Sequence, residues 1–488
     1  MGVYVGCAIS CRYEVPEEPL TLGSSIENTV EHAFARALLR HPLFTVGRVN
    51  DDSNKPSWVR LDLIDFKNHI EWKTIPVSED HENTLRDVVD WQINNPYTHL
   101  ETQPSWRAVI LKPSEATFID IVFAWDHTAG DGKSGKIFHD SLLACLNSKP
   151  EEAKTVTLQD RSFEVPVTTF TPELDRMVKL PLSLGFILTE LGRELLGQFY
   201  SPESPHEANW APIQIELRKT RFVSITVEKN TLRSILEKCR QHQTTMTGLM
   251  HALILVSMAI RVPESRAQAF ECGTPFCLRR FQSAEQSNID MNKTVINSAA
   301  PWGYVFDQDI VAKVRKQVND VKDGPESNAE LETTVWSAAK TLREGLTEKL
   351  KQGTKNDEVG LTKFIGDWRS FFKGHTKSRA HSWEISNLGV IKGKVEGEEG
   401  NSGKDEWTIE HATFTSSAVT VGPALVFCPV SVKDEAFTMT CSWQVGVVDD
   451  GLAQGVSSDV GTWLNDLGNT GIINFASVQK PREGEATQ

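Results

Sequence analysis

Phe123-Ala-Trp-Asp-His127-Thr-Ala-Gly-Asp131-Gly132 decides how this chain is read. The apolar run Phe118 to Trp125 leads into it and predicts a buried strand. The amphipathic run Lys133 to Leu146 leads out and predicts a helix. A glycine-marked turn joins them, carrying one histidine and, four residues later, one aspartate. A histidine at the end of a buried strand has its backbone fixed by the sheet while its ring can face a channel. That placement suits a general base, and unperturbed imidazole titrates near neutrality, so His127 is the candidate catalytic residue. Asp131 admits two roles: orienting His127, as the acid of a triad does, or tying the turn down through a buried salt bridge. Gly130 and Gly132 leave little room for side chains, which favours a structural role at the site for Asp131 and Gly132. Taken without its flanks, the same turn is more often a plain strand-to-helix connection than a catalytic one.

Working outward, Val3 to Tyr13 predicts a strand and Ser25 to Arg40 a helix capped by Ser24 or Ser25. Short strands are expected at Trp58–Leu63 and Ile70–Ile75, a helix at Leu85–Asn94, and a strand pair at Trp106–Leu111 and Phe118–Trp125. A helix beside a sheet that receives the His127 strand makes a mixed α/β layer. From Asn147 to about Ala211 prolines punctuate the chain. Inside that stretch the amphipathic run Leu180 to Tyr200 reads as a connector helix packed on the domain; the competing reading lays it on a membrane or lipid droplet.

The second half opens with a strand at Arg221–Glu228 and helices from Thr231 and from a threonine cap at Thr244 or Thr245. His251 on that apolar helix reads as a packed core histidine. Asn297-Ser298 either lines a channel or forms a loop turn, and the turn is the favoured reading. A long helix is expected over Asn328–Lys351. A polar, flexible insertion follows over 395–405 and a disordered tail over 480–488. Three strand-like runs, Trp407–Ser416, Ala424–Val432 and Phe437–Val447, are expected to build the sheet of the second half, the last two as a hairpin through Lys433-Asp434-Glu435. Thr415, Ser416 and Ser417 are candidates to donate a hydrogen bond to an oxyanion at the channel.

Composition narrows the partners. The 488-residue chain carries a net charge of −14, which argues against nucleic acid, since phosphate binding needs a basic face. The eight cysteines form no CxxC pair and read as reduced thiols, with no metal expected. The start lacks a secretory pattern, Gly6 excludes a myristoylation signal, and the longest apolar run, Ala252–Ile260, is too short to span a bilayer. A cytoplasmic location is therefore expected.

His127-Thr-Ala-Gly-Asp131-Gly132 resembles the HxxxDG signature of the chloramphenicol-acetyltransferase-like superfamily. That superfamily includes alcohol acetyltransferases, plant BAHD acyltransferases and the condensation domains of peptide synthetases. The likeness is to its fungal alcohol acetyltransferase branch and runs through most of the chain. Ser386-Asn387-Leu388-Gly389 resembles the family's Ser-Asn-x-Gly element, which implies that Ser386, Asn387 and Gly389 shape the crossover between halves. The resemblance implies an α/β (α+β two-layer) fold of two chloramphenicol-acetyltransferase-like halves, with mixed β-sheets flanked by helices and an active-site channel at their interface. The halves are expected at 1–150 and 212–488, with a crossover connector at 151–211.

The implied reaction is acyl transfer from acetyl-CoA, or another acyl-CoA, to a hydroxyl of a small alcohol or secondary metabolite. His127 acts as base, and neither metal nor covalent intermediate is required. A monomer is expected; membrane association is the less favoured reading. Two other readings share the channel: N-acylation or carrier-protein-dependent condensation or cyclisation, and metabolite binding without acyl transfer. A Ser-His-Asp hydrolase lacks its GxSxG elbow. Family members usually carry a further segment, which helps wall the acceptor side, before the strand that Met1–Tyr13 resembles; without it the chain reads as a shortened variant, a truncated gene model or a member with altered substrate use.

Overall fold

The strand that ends beside His127 lies in the middle of a five-stranded sheet. In the computed structural model the order is Thr408–Ser416, Cys7–Glu14, Phe118–Trp125, Trp106–Pro113 and Ile70–Ile75, antiparallel except for the last pair. The structure describes residues 4–17, 25–149, 156–199, 204–286, 289–321, 328–368, 370–371, 378–395 and 406–477. Most of the expected insertion at 395–405 and the whole expected tail at 480–488 lie outside these.

Every residue from Ile119 to Trp125 is buried, because helices cover both faces of the sheet. On one face Ile26–Leu39, capped by Ser25, packs against Gly132–Leu146. Their contact is aromatic: Phe123 and Phe138 stack at 3.8 Å, and Phe34 and Phe44 meet Phe138 edge-on. On the other face His81–Asn94, capped by Asp80, presses Leu85, Val88, Val89 and Ile93 onto Ala8, Val109, Leu111, Val122 and Ala124. The continuous apolar run of the sequence is the signature of a strand covered on both faces.

The second sheet is mixed and seven-stranded. Its order is Gly303–Phe306, Phe270–Gly273, Trp383–Ile385, Leu425–Val432, Phe437–Gln444 and Thr220–Val227, with Gly389–Ile391 pairing parallel to Leu425–Val432. Met246–Arg261 is buried almost all round and forms the spine of the core behind this sheet, with Ala329–Gln352 and Asp450–Thr470 against it. His251 on that spine is fully buried. Trp383 donates its indole N–H to Nδ1 at 2.9 Å, so Nε2 carries the proton towards Thr274 Oγ1 at 2.7 Å. Desolvation draws its pKa down to about 3, so the ring stays neutral, as a packed core histidine should.

Three readings of the sequence need correction. The run Trp407–Ser416 does not join the sheet of the second half. As Thr408–Ser416 it pairs along Cys7–Glu14, and Ala412 and Phe414 fill the core of the first half. It remains tied to the second sheet through Thr440, whose hydroxyl donates to the Phe414 carbonyl at 2.6 Å. Alternation specifies which face of a strand is apolar but not which sheet the strand enters. Secondly, Gln308–Asp320 is a helix capped by Asp307, in a stretch for which no element had been expected.

Thirdly, the connector helix is not packed as expected. In Leu184–Phe199 the side chains of Leu184, Leu188 and Leu191 share one face and are 79%, 69% and 53% exposed. Among the described residues no single helix is long and apolar enough to cross a membrane.

Candidate active site

Asp131 is the side chain on which the site is built. Its Oδ1 accepts from the Ser134 backbone N–H and from the Ser134 hydroxyl, each at 2.9 Å, which caps the helix Gly132–Leu146. Its Oδ2 accepts from the Ser298 backbone N–H at 3.0 Å and from the Ser298 hydroxyl at 3.2 Å. The Arg279 guanidinium donates to both oxygens, at 2.6 Å from Nη1 and 3.1 Å from Nη2. Arg279 Nε donates to the Met291 carbonyl, and Nη2 also lies within hydrogen-bond distance of the Thr294 and Ile296 carbonyls and the Ser134 hydroxyl. The two side chains are 0% and 6% exposed, so the pair is buried as well as bidentate. Burial alone would raise the Asp131 pKa; the charge and hydrogen bonds of Arg279 outweigh it and hold the carboxyl below the usual range. Asp131 comes from the first half of the chain, Arg279 and Ser298 from the second. None of these bonds reaches His127.

The turn itself is fixed by short-range bonds. The Asp126 N–H donates to the Ser105 carbonyl at 2.9 Å, the Ala129 N–H to the Asp126 carbonyl at 2.9 Å, and Asp126 Oδ1 accepts the Thr128 N–H at 2.8 Å. Arg48 pairs with the Asp126 carboxylate at 3.1 Å. The Trp125 indole donates to the Gly130 carbonyl at 2.9 Å. Its ring lies so close to Gly135 that a Cβ there would stand 2.2 Å from it, so only glycine fits beneath.

His127 emerges from this turn onto the wall of a cavity of about 670 Å³ lined by residues of both halves. Asn297 donates from Nδ2 to the His127 carbonyl at 3.1 Å and stands 3.2 Å from Nδ1. The Tyr4 ring lies 5.1 Å away, tilted by 58°. Desolvation lowers the His127 pKa below that of free imidazole. The charges of Asp131 and Asp126 and a hydrogen bond of the ring to its own main chain pull the other way without restoring it. The imidazole is therefore neutral at pH 7.

Of the three oxyanion candidates, Ser416 lines the cavity. Its hydroxyl donates to the Ser417 carbonyl at 3.0 Å and lies 2.8 Å from the Tyr4 hydroxyl, which also stands 2.9 Å from Cys7 Sγ. Thr415 occupies the opposite face of the strand, as alternation requires. The Ser417 oxygen accepts the N–H groups of Val5 and Gly6, each at 3.1 Å. Thr415 and Ser417 therefore do not reach the cavity.

Ser386, Asn387 and Gly389 all line the cavity. Asn387 donates to Thr247 Oγ1 at 2.9 Å and accepts the Gly389 N–H at 2.8 Å. Gly389 adopts φ of +80°, open to glycine alone at little cost. Lys133 and Lys136 line this cavity and also a neighbouring groove of about 720 Å³. That groove gathers Arg40, Lys293, Lys392 and Lys394 against Asp140 and Asp290, a basic surface on an acidic protein.

A family model described as alcohol acetyltransferase matches residues 78–458, most of the chain. The chain belongs to the alcohol acetyltransferase family. It is an acyltransferase of that family, similar to a probable alcohol acetyltransferase, FCK4, of Fusarium pseudograminearum. The two are 26% identical over 468 residues, covering 93% of this chain and 89% of the other. A probable alcohol acetyltransferase of Aspergillus fumigatus, crmB, is 22% identical, covering 94% and 95%. Among solved structures, the TRI3 trichothecene 15-O-acetyltransferase of Fusarium sporotrichioides superimposes with a TM-score of 0.67 at 13% identity, covering 95% of this chain and 91% of that one. The first condensation domain of the CDA synthetase gives 0.57 at 10% identity, covering 98% and 94%. These likenesses carry the two-half fold of alcohol acetyltransferases and condensation domains.

Sequence reasoning preferred a plain turn for Asn297-Ser298, yet Asn297 contacts His127 and Ser298 contacts Asp131. Arg279, Tyr4, Lys133, Lys136 and Glu384 went unmarked as site residues. For Glu384 a signal was available: an acid between tryptophan and isoleucine in a short strand. Arg279, beside a second arginine two residues past Cys277, offered none.

Asp131→Asn removes one charge of a buried pair and leaves Arg279 uncompensated. The expected loss is about 3–5 kcal/mol of folding stability, read by chemical denaturation. Unchanged stability with activity abolished would instead give Asp131 a direct part in the reaction.

Proposed function

We propose that this acyltransferase moves an acyl group, acetyl from acetyl-CoA, onto a hydroxyl of a small-molecule acceptor, with His127 as general base. The observation that carries the reading is the neutral imidazole of His127 on the wall of a cavity that both halves line and that meets a basic groove. The neutral ring has one nitrogen with a free lone pair, and that nitrogen is the base. His127 takes the hydroxyl proton as the oxygen attacks the thioester carbonyl carbon. The tetrahedral oxyanion collapses, the C–S bond breaks, and His127 returns the proton to the departing sulfur, giving ester and free CoA thiol. Tyr4 and Ser416 supply the hydroxyl groups nearest to hand for the oxyanion. The Ser416 proton is committed to Ser417, so the Tyr4 O–H is the donor able to turn.

The basic groove supports a phosphorylated donor. Lys133 and Lys136, shared between groove and cavity, suit the junction where CoA phosphates end and the pantetheine arm begins. We place the halves at 1–150 and 212–488 with the connector at 151–211, the second half lending its strand Thr408–Ser416 to the first sheet. We read the protein as a monomer and as cytoplasmic, the location supported by eight cysteines that form no disulfide, seven of them buried.

His127→Ala is expected to lower kcat by about 10²–10⁴-fold with the fold retained, measured as CoA release and circular dichroism. Wild-type turnover would exclude the role. Lys133→Ala with Lys136→Ala is expected to raise KM for acetyl-CoA about tenfold relative to KM for acetyl-pantetheine, which lacks the nucleotide phosphates. An equal change for both donors would remove the groove from CoA binding.

A further inference from the structure

The cavity holds a second carboxyl group that proton transfer at His127 does not use. Glu384 lies in the middle of the strand Trp383–Ile385, flanked in register by Gly273 and Val426. Trp383 and Ile385 are fully buried in the core of the second half. Alternation turns Glu384 to the opposite face, where it lines the same cavity as His127. Glycine at 273 leaves it room, since a Cβ there would stand 3.3 Å from Glu384 Cγ.

An acidic side chain inside a central strand is costly unless something pairs with it. Among the described residues Glu384 has no hydrogen-bond or ion-pair partner. His381, the cationic group nearby, is joined to Glu271 at 3.5 Å. Desolvation pushes the Glu384 carboxyl above its ordinary range, with the His381 charge opposing. The other carboxylate of the cavity, Asp131, is consumed by Arg279, Ser134 and Ser298. An anionic donor gains nothing from Glu384 either, since phosphates would be repelled by it and attracted to Lys133 and Lys136. An unpaired acceptor on a binding wall is satisfied when the ligand brings a hydrogen-bond donor.

We propose that Glu384 recognises the acceptor: the alcohol acetylated here carries a second O–H or N–H group, remote from the hydroxyl at His127, that pairs with this carboxyl. The inference rests on the acyl-transfer reading above and narrows its substrate class to diols and amino alcohols. A plain alkanol would cover the carboxyl with an apolar chain and leave it unpaired, which is how such sites reject ligands lacking the donor.

The test measures CoA release by the full chain with acetyl-CoA and three acceptor series of matched chain length: 1-alkanols, terminal diols and terminal amino alcohols. Wild-type kcat/KM for the best diol or amino alcohol should exceed that of its matched alkanol by about tenfold or more. In Glu384→Leu that ratio should fall to about one. Glu384→Gln keeps a diol preference if a neutral O–H is read, and selectively loses an amino-alcohol preference if an ammonium is read. The Leu variant should melt no lower than wild type, because it removes a desolvated carboxyl without a partner. An unchanged ratio in Glu384→Leu, a wild type without preference, or a lower melting temperature in the Leu variant would overturn the proposal. So would an equal loss of kcat on every acceptor in Glu384→Gln, which would assign the residue to the chemistry. No CoA release from wild type with any acceptor would overturn the acyl-transfer reading itself, so the two failures are told apart.

Discussion

The buried ion pair between Asp131 and Arg279 is the constraint on which the site depends. Charges taken out of water are tolerated when every lone pair and proton is satisfied, and here they are. The carboxylate caps the helix behind the His127 turn and accepts from Ser298, while the guanidinium gathers carbonyls from a loop of the other half. One interaction therefore sets the turn, the helix and the seam between the two sheets. His127 owes its position to this clamp without touching it.

On the proposed mechanism, that separation of tasks is what lets a single imidazole serve as base. Hydrogen-bonded to His127, Asp131 would raise its pKa and favour the charged ring; spent on Arg279, it contributes only its field. Burial then prevails and the ring stays neutral. In the proposed acyl transfer the thiolate is a good leaving group, so a base that can return its proton suffices. The crossing strand Thr408–Ser416 completes the arrangement. It belongs to the sheet of the first half, hydrogen-bonds to the second, and carries Phe414 and Ser416 into the cavity. The strap that joins the halves is thus also a wall of the site.

Much of the fold was legible because it rests on local rules. The strand Phe118–Trp125 has the bounds its apolar run implies, and the Ser25 and Thr245 caps stand where the hydroxyl residues precede helical spacing. His127 and Asp131 were legible through their spacing and flanks. What escaped depends on contacts distant in sequence. Arg279 acts across 148 positions, and nothing around it differs from a surface arginine. The sheet joined by Thr408–Ser416 is decided by a partner strand at the other end of the chain. Tyr4 reads as an ordinary position within the strand expected from Val3 until the fold brings it to His127. The leucines of the connector helix carried the opposite error: helical periodicity marks an apolar face, and does not say that anything covers it.

The pH dependence of kcat/KM for acetyl-CoA, followed by CoA release, tests the central claim most directly. A neutral base with a lowered pKa keeps its lone pair as the medium turns mildly acidic. Activity should fall only as pH drops through a value below about 6.5, the ordinary imidazole pKa. An acid limb lying above that value, or no acid limb at all, would contradict an unprotonated His127 as the group that starts the reaction.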